Sequence, residues 1–321
     1  MLDYEKKYWS TSIKNIAGID EAGRGPLAGP VVSAAVIFPK NINLPEVNDS
    51  KKLSEKKREH LFDEIFTSAI SIGIGIVHES EIDENNILQA TYKSMRKSLG
   101  DLSVKPEIIL VDGNKADIKH YRQENIINGD QKSLSIAAAS IIAKVTRDRI
   151  MKQYDLVFPN YAFGKHKGYG TKQHIEAIKF NKAVPIHRKT FNPVPKYLPT
   201  IAFYKKNKLI ETLGVQLVAC KMIRLNSTIL DINYTASDLR KIDIISFEKN
   251  IIKFTNVKTF TLNNKQEFGS FNYSDNDGFR EKELALSFMN ENNLNLDYKF
   301  QNAIITIGKG EPEITGINLE K

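Results

Sequence analysis

The sequence predicts an α/β protein in two parts, a larger three-layer domain followed by a smaller α/β domain. Three observations lead there. Apolar strand-like runs alternate with helical stretches from about residue 15 to residue 154, the pattern of a three-layer α/β domain. Pro193, Pro195, Pro199 and the polar run Lys205-Lys206-Asn207-Lys208 then break the pattern. At 321 residues, the chain exceeds what a single hydrophobic core usually organises.

Taken in order, Asn15–Asp20 reads as a strand running into a glycine-rich turn, and Val31–Phe38 is a strongly apolar second strand. Ser54–Ile65 reads as a helix with Ser54 as N-cap and Leu61, Phe62 and Ile65 as its apolar stripe. Ile70–Val77 alternates as a strand, Glu81–Leu99 is helical, and Glu107–Asp112 is a buried strand ending at Asp112-Gly113. Ser133–Tyr154 is a long helix whose small residues Ala137–Ser140 permit close packing. These elements define a first domain over 1–198 and a linker over 199–208. In the second domain, 209–321, Leu209–Leu225 and Glu281–Met289 read as helices. Ile229–Asn233, Lys241–Phe247, Ile251–Val257, Thr259–Leu262 and Asn302–Ile307 read as strands. No internal repeat recurs at a fixed period.

Composition excludes several classes. With 41% hydrophobic and 26% charged residues the chain is globular rather than disordered. No apolar run reaches bilayer length, and the charged start MLDYEKKYWS lacks the apolar core of a signal peptide. The single cysteine, Cys220, excludes an internal disulfide framework and a cysteine-based zinc site. A cytoplasmic protein with no membrane partner is therefore expected.

The net charge of +8 is concentrated in one place. Residues 1–150 carry 21 Lys+Arg and 21 Asp+Glu, residues 151–200 carry 9 and 2, and residues 201–321 carry 16 and 15. A basic block on a near-neutral chain fits a polyanion-binding face, with a solvated surface as the plainer alternative. Within it, His166-Lys167-Gly168-Tyr169-Gly170-Thr171 combines cations, an aromatic ring and flexible backbone, which suits phosphate contact beside a stacking platform. Ser50-Lys51-Lys52 is a second candidate phosphate contact. Lys144 and Arg147, i and i+3 on one helix, are a third, unless they form an ordinary solvated face.

The acidic residues point to a reaction. Asp20-Glu21-Ala22-Gly23-Arg24-Gly25-Pro26 directly follows an apolar strand. Adjacent carboxylates repel unless a cation neutralises them, and an oxygen-only donor set favours Mg²⁺ or Mn²⁺. The plainer alternative is an acidic turn capped by Arg24. Asp112 ends its own apolar strand, where open α/β sheets bind ligands. Asp130 precedes the long helix and by itself reads as an ordinary loop or capping aspartate; with Asp20, Glu21 and Asp112 it completes a four-carboxylate set suited to two metals ~4 Å apart. Such a pair can activate a water and stabilise the leaving oxygen in phosphodiester hydrolysis.

Taken together, the motifs resemble the ribonuclease HII family. They are Ile16–Val31, with Gly-Ile-Asp-Glu-Ala-Gly-Arg-Gly-Pro at its heart, then Asp49–Leu53, Asn85–Thr91, Val111–Asn114 and Gly129-Asp130. Ser135–Asp148, His166–Thr171 and His187–Phe191 follow, in the family's order and spacing across about 198 residues. The resemblance implies a ribonuclease H-like core with a mixed sheet and a helical C-terminal part. It implies cleavage of RNA paired to DNA, and 5′ to ribonucleotides embedded in DNA, with Asp20, Glu21, Asp112 and Asp130 as metal ligands. Gly23-Arg24-Gly25 would sense the ribose 2′-hydroxyl, and Tyr169 would stack near the RNA–DNA junction.

Residues 209–321 are similar to the YraN-like family, small proteins of restriction-endonuclease-like fold, through Ile242-Asp243-Ile244-Ile245 and Phe254–Thr259. The departures are chemical. Arg240-Lys241 stand where the family has Gly-Glu, Asn256-Val257-Lys258 where it has Glu-Val-Lys, and Gln216 where it has a helix glutamate. Asparagine supplies no anionic charge to a metal, so this domain is expected to fold without cleaving.

Overall fold

The computed structural model describes residues 1–114, 116, 118–236, 239–261, 275–308 and 312–315, with 275–281 as backbone only. It divides into two compact units. One comprises Met1–Met151, Lys165–Glu176 and Ile186–Lys196, and the other Lys152–Gly164, Ala177–Pro185 and Tyr197–Lys321.

The first unit is a three-layer α/β sandwich. A short helix, α1 (Asp3–Trp9), precedes strands β1 (Ile16–Ala22) and β2 (Val31–Ile37). Helix α2 (Glu55–Ser68), strand β3 (Ser71–Val77), helix α3 (Glu79–Gly100) and strands β4 (Ile108–Asp112) and β5 (Gln123–Ile126) follow. The sheet is mixed, in the order β3-β2-β1-β4-β5. β2 lies antiparallel to β1 and β3, while β4 runs parallel to both β1 and β5. Helix α4 (Leu134–Val157) begins in this unit.

Period-2 patterning sorts the strand side chains between the layers. Val32, Ala34 and Val36 face α2 and α4, packing with Leu61, Ile65 and the run Ala137–Ala139. Ala17, Ile19, Ala35 and Ile37 face α3, meeting Met95 and Leu99. Ala137, Ala138 and Ala139, from the small-residue run of α4, are fully buried in the layer shared with α2. A Cβ on Gly18 of β1 would lie 2.1 Å from the Ser135 carbonyl carbon, so helix and strand touch at backbone distance. Ser54 caps α2 as expected, accepting from the Lys57 N–H at 3.2 Å. Helix α1 and strand β5 escape sequence reading because both are short and polar.

Helices α5 (Phe163–His166) and α6 (Lys172–Asn181) lead to α7 (Ile201–Lys206), which occupies most of the expected linker and is capped by Thr200. The second unit then builds α8 (Ile210–Arg224), β6 (Thr228–Thr235), β7 (Lys241–Glu248), β8 (Ile251–Thr261), α9 (Asp275–Glu291), β9 (Asp297–Ile307) and β10 (Glu313–Thr315). Its five-stranded sheet has the order β10-β9-β8-β7-β6, with β8 and β9 parallel and the other pairs antiparallel. The candidate strands Ile251–Val257 and Thr259–Leu262 are one continuous strand, of which Leu262 lies outside the described residues. Its core sets Phe254 against Phe288 at 5.9 Å, edge to face. No helix among the described residues is long and apolar enough to cross a membrane.

Candidate active site

The site forms where β1 and β4 end. The parallel register pairs Ile19 with Val111, which puts Asp20 and Asp112 at the same level of neighbouring strands, at their carboxyl ends. Glu21 follows on β1, and the strand stops one residue later. Asp130 arrives from a 3₁₀ turn, Gly129–Gln131, entered through Asn128 in the left-handed region at φ 54°. That turn is tied to β4 by the Gly129 N–H, which donates to Asp112 Oδ1 at 2.6 Å.

These carboxyl groups sit in a low-dielectric place. Burial pushes Asp20 well above the ordinary carboxylate range, and the charges of Glu21 and Asp112 push it further. Burial raises Glu21 as well, with Arg24 opposing and Asp112 adding to the rise. Burial raises Asp130 against the pull of Lys51, and Asp112 and Asp49 add to the rise. The Lys51 ammonium lies 3.4 Å from Asp130 Oδ2 at the end of an otherwise exposed side chain. Asp20 is held by the Glu21 N–H, which donates to Oδ1 at 2.7 Å, and by the Ser140 hydroxyl. Asp20, Glu21 and Asp130, held where burial opposes ionisation, form with Asp112 an oxygen-only donor set of the kind a hard divalent cation takes. Asp20, Glu21, Asp112 and Asp130 are the carboxylates that could hold it, although no three of them bring their oxygens within 4.8 Å of one another in this structure.

Beside them runs the loop 23–30. Gly23 has φ 101°, and a Cβ there would meet Arg147 Nε at 2.1 Å. Arg24 reaches back to Glu21, Nη1 to Oε1 at 3.4 Å. The Tyr169 ring, 46% exposed, lies next to Gly25, 3.6 Å from where a Cβ would stand. The loop is sewn to the later segments by backbone bonds. Leu27 N–H donates to Gly168 O, Gly29 N–H to Ile186 O and Arg188 N–H to Leu27 O.

Two predicted contact residues are placed differently. Arg147 is buried, and its guanidinium donates to the carbonyls of Pro30, Lys167 and Ala28 at 2.9 to 3.1 Å. It shapes the loop and cannot meet a phosphate. Ser50 is also buried, 2.9 Å from the Ser140 hydroxyl. Because Ser140 donates to Asp20, Ser50 acts one bond further back, behind the carboxylate. Lys144 pairs with Asp148 at 2.7 Å, and burial lowers its pKa. Lys167 is nearly buried, with its ammonium 3.6 Å from Glu55. The His166 ring stacks on His174 at 4.5 Å. Of the basic candidates, Lys51 and Arg24 make ion pairs with the carboxylates themselves, with Asp130 and Glu21 respectively.

Sequence reasoning missed the residues that carry the loop. Arg188 donates to the carbonyls of Gly23, Arg24, Gly29 and Pro30 while fully buried. Burial pulls its pKa down to about 9, which still leaves it charged at neutral pH. His174 bridges Tyr169 O through Nδ1 at 2.9 Å and His187 through Nε2 at 3.0 Å. Burial holds it neutral, with its pKa lowered to about 4. The available signal was the pairing of His187-Arg188 with a distant glycine loop, which only folding makes visible.

The family model for "Ribonuclease HII" matches residues 17–194, more than half of the chain. The chain belongs to the ribonuclease HII family. The match spans every motif around the carboxylates, from Asp20 to Arg188. A ribonuclease HII from Acetivibrio thermocellus is 56% identical over 191 residues, covering 60% of this chain and 75% of that one. One from Caldanaerobacter subterraneus is 56% identical over 188 residues, covering 59% and 78%. Among solved structures, the ribonuclease H2 of Pyrococcus horikoshii aligns with 57% of this chain and 96% of that one, at 28% identity and a TM-score of 0.49. As a ribonuclease HII, the chain is a nuclease whose family cleaves RNA in RNA/DNA hybrids and at embedded ribonucleotides.

Proposed function

We propose that this chain hydrolyses the RNA strand of RNA/DNA hybrids and cuts on the 5′ side of ribonucleotides embedded in duplex DNA, leaving 3′-hydroxyl and 5′-phosphate ends. Asp20, Glu21, Asp112 and Asp130 hold divalent cations, Mg²⁺ or Mn²⁺. The observation that carries this reading is the level pairing of Asp20 with Asp112 at two parallel strand ends, with Glu21 and Asp130 beside them. When bound, the cations supply an activated water and charge stabilisation at the leaving 3′-oxygen. The protein's own share is positional. Ser50 and Ser140 support Asp20 from behind, and the Gly129 N–H fixes the orientation of Asp112. The Gly23-Arg24-Gly25 backbone, clamped by Arg188, offers close approach to a ribose, whose 2′-hydroxyl distinguishes RNA from DNA. Tyr169 presents an exposed ring beside that loop, suited to stacking at the junction.

A labelled DNA duplex with one ribonucleotide tests the proposal, incubated with Mn²⁺, Mg²⁺ or chelator beside an all-DNA duplex. A metal-dependent single cut 5′ to the ribonucleotide is expected. No cut by folded protein with either metal would replace this reading with hybrid binding alone.

Residues 209–321 we read as a YraN-like domain that does not cleave. Asn256 stands beside Asp243 in place of a carboxylate, and Asp243 Oδ2 already accepts the Val257 N–H at 2.6 Å. An intact all-DNA duplex in the same assay is the expected outcome.

A further inference from the structure

We infer that the second unit carries a binding site for an unpaired nucleobase and its flanking phosphates, a single-stranded stretch of nucleic acid, separate from the carboxylate centre. The site is a cleft of about 250 Å³ formed by segments 160–161, 180–184 and 203–216, all within that unit. Its volume equals roughly eight water molecules.

The lining has the chemistry of a base pocket. Phe180, Phe203 and Tyr204 supply aromatic surface, over a floor that includes the buried Tyr161. Phe180 is 89% exposed, an unusual position for a phenyl ring on a surface helix. Phe203 and Tyr204 stand edge to face at 5.7 Å, which fixes both rings. Thr200 caps their short helix by accepting the Phe203 N–H at 3.2 Å. Asn160, Asn181, Asn207 and Gln216 also line the cleft and carry amide groups of the kind that match base edges, the Asn207 amide donating to Phe203 O at 2.8 Å. Every base has a π-face, so aromatic rings tolerate any sequence, whereas a lipid or hydrocarbon pocket would have no use for four amides.

The charges favour a polyanion. Segments 177–185 and 197–210 supply most of the lining. They contain five lysines (Lys179, Lys182, Lys205, Lys206 and Lys208) and no carboxylate, and a single exposed carboxylate, Glu211, follows in the last lining segment. Lys179, Lys205, Lys206 and Lys208 are exposed. The lining itself is uncharged, so the cations flank a neutral, aromatic floor. Phosphates on either side of an inserted base would meet these ammonium groups. The arrangement owes nothing to the metal ligands and stands whether or not they cleave.

Fluorescence anisotropy of labelled deoxythymidine and uridine decamers, on the full chain in chelator, tests the site without cleavage. Binding is expected to weaken roughly tenfold in Phe180→Ala, the share of one base–aromatic stack. Phe180→Trp should restore it, with tryptophan emission quenched as the decamer binds. Lys205→Gln with Lys206→Gln should flatten the salt dependence. Phe180→Ala should cleave long hybrids at the wild-type rate, which excludes misfolding as the cause. Loss of either decamer in Phe180→Ala supports the site and identifies the strand it takes. Unchanged binding of both decamers, or displacement of the decamer by decaglutamate as readily as by unlabelled oligonucleotide, would overturn it.

Discussion

The Arg188 guanidinium holds the carbonyl of Gly23 at 2.5 Å, across 165 residues of chain. It donates to Arg24 O as well, at 2.8 Å, so one buried cation fixes two successive peptides of the loop beside the carboxylates. Carbonyls drawn inward leave the peptide N–H groups of that loop to face elsewhere. Arg188→Lys keeps the charge and loses the planar fork, which cannot be matched by a single ammonium. We expect it to cost about 2–4 kcal/mol of stability, measured by denaturant unfolding. At a temperature where it is folded, kcat on a single-ribonucleotide duplex should fall more than KM rises. Wild-type kinetics in the folded variant would mean that the clamp only stabilises.

Gly23 and Gly25 should differ sharply. Gly23→Ala forces a Cβ onto Arg147 at a φ of 101° and is expected to disrupt the loop and both arginine clamps. Gly25→Ala meets only an ordinary contact with Tyr169, so that protein should fold with near wild-type Tm. Its cleavage of ribonucleotide-containing substrate should nonetheless fall, because the methyl group stands where backbone would approach the ribose. Thermal melts paired with cleavage assays separate the two effects.

Asp112→Asn retains an oxygen able to accept the Gly129 N–H, so the turn carrying Asp130 should stay in place. Cleavage should drop by roughly a hundredfold or more, while hybrid affinity measured in chelator stays within a few-fold. Turnover at the wild-type level would remove Asp112 from the metal set.

The raised carboxyl groups predict a pH signature. In the metal-free fold Asp20, Glu21 and Asp130 hold protons that the unfolded chain has already released. Stability therefore falls as pH rises from the ordinary carboxylate range through the raised values, and stays at the lower level above them. Divalent cations bind the ionised forms, so Mn²⁺ should raise Tm more at about pH 8 than at about pH 5. Asp20→Asn should raise the metal-free Tm by a few degrees at neutral pH and abolish most of the metal-induced rise. An equal metal shift at both pH values would contradict the assignment.

Tyr169→Ala should reduce cleavage at a single embedded ribonucleotide by roughly tenfold more than cleavage of a long hybrid, since a long hybrid can bind in many registers. Equal losses on the two substrates would assign the ring a structural role.

Much of this was legible in the sequence because local rules decide it. The apolar alternation of Val31–Ile37 and Ser71–Val77, the Ser54 cap and the small-residue run of α4 each dictate their element through period, capping or volume. The acidic residues at strand ends could be named from position alone, since strands running parallel bring their carboxyl ends together. Tertiary structure decided which polar residues face substrate and which support the site from within. Arg147 and Ser50 sit in motifs as basic and polar as those of Lys51 and Tyr169, yet both are buried against backbone or a second hydroxyl. Composition does not encode that difference. A guanidinium becomes a clamp only when folding surrounds it with carbonyls that would otherwise be unsatisfied, and those carbonyls come from loops more than a hundred residues away.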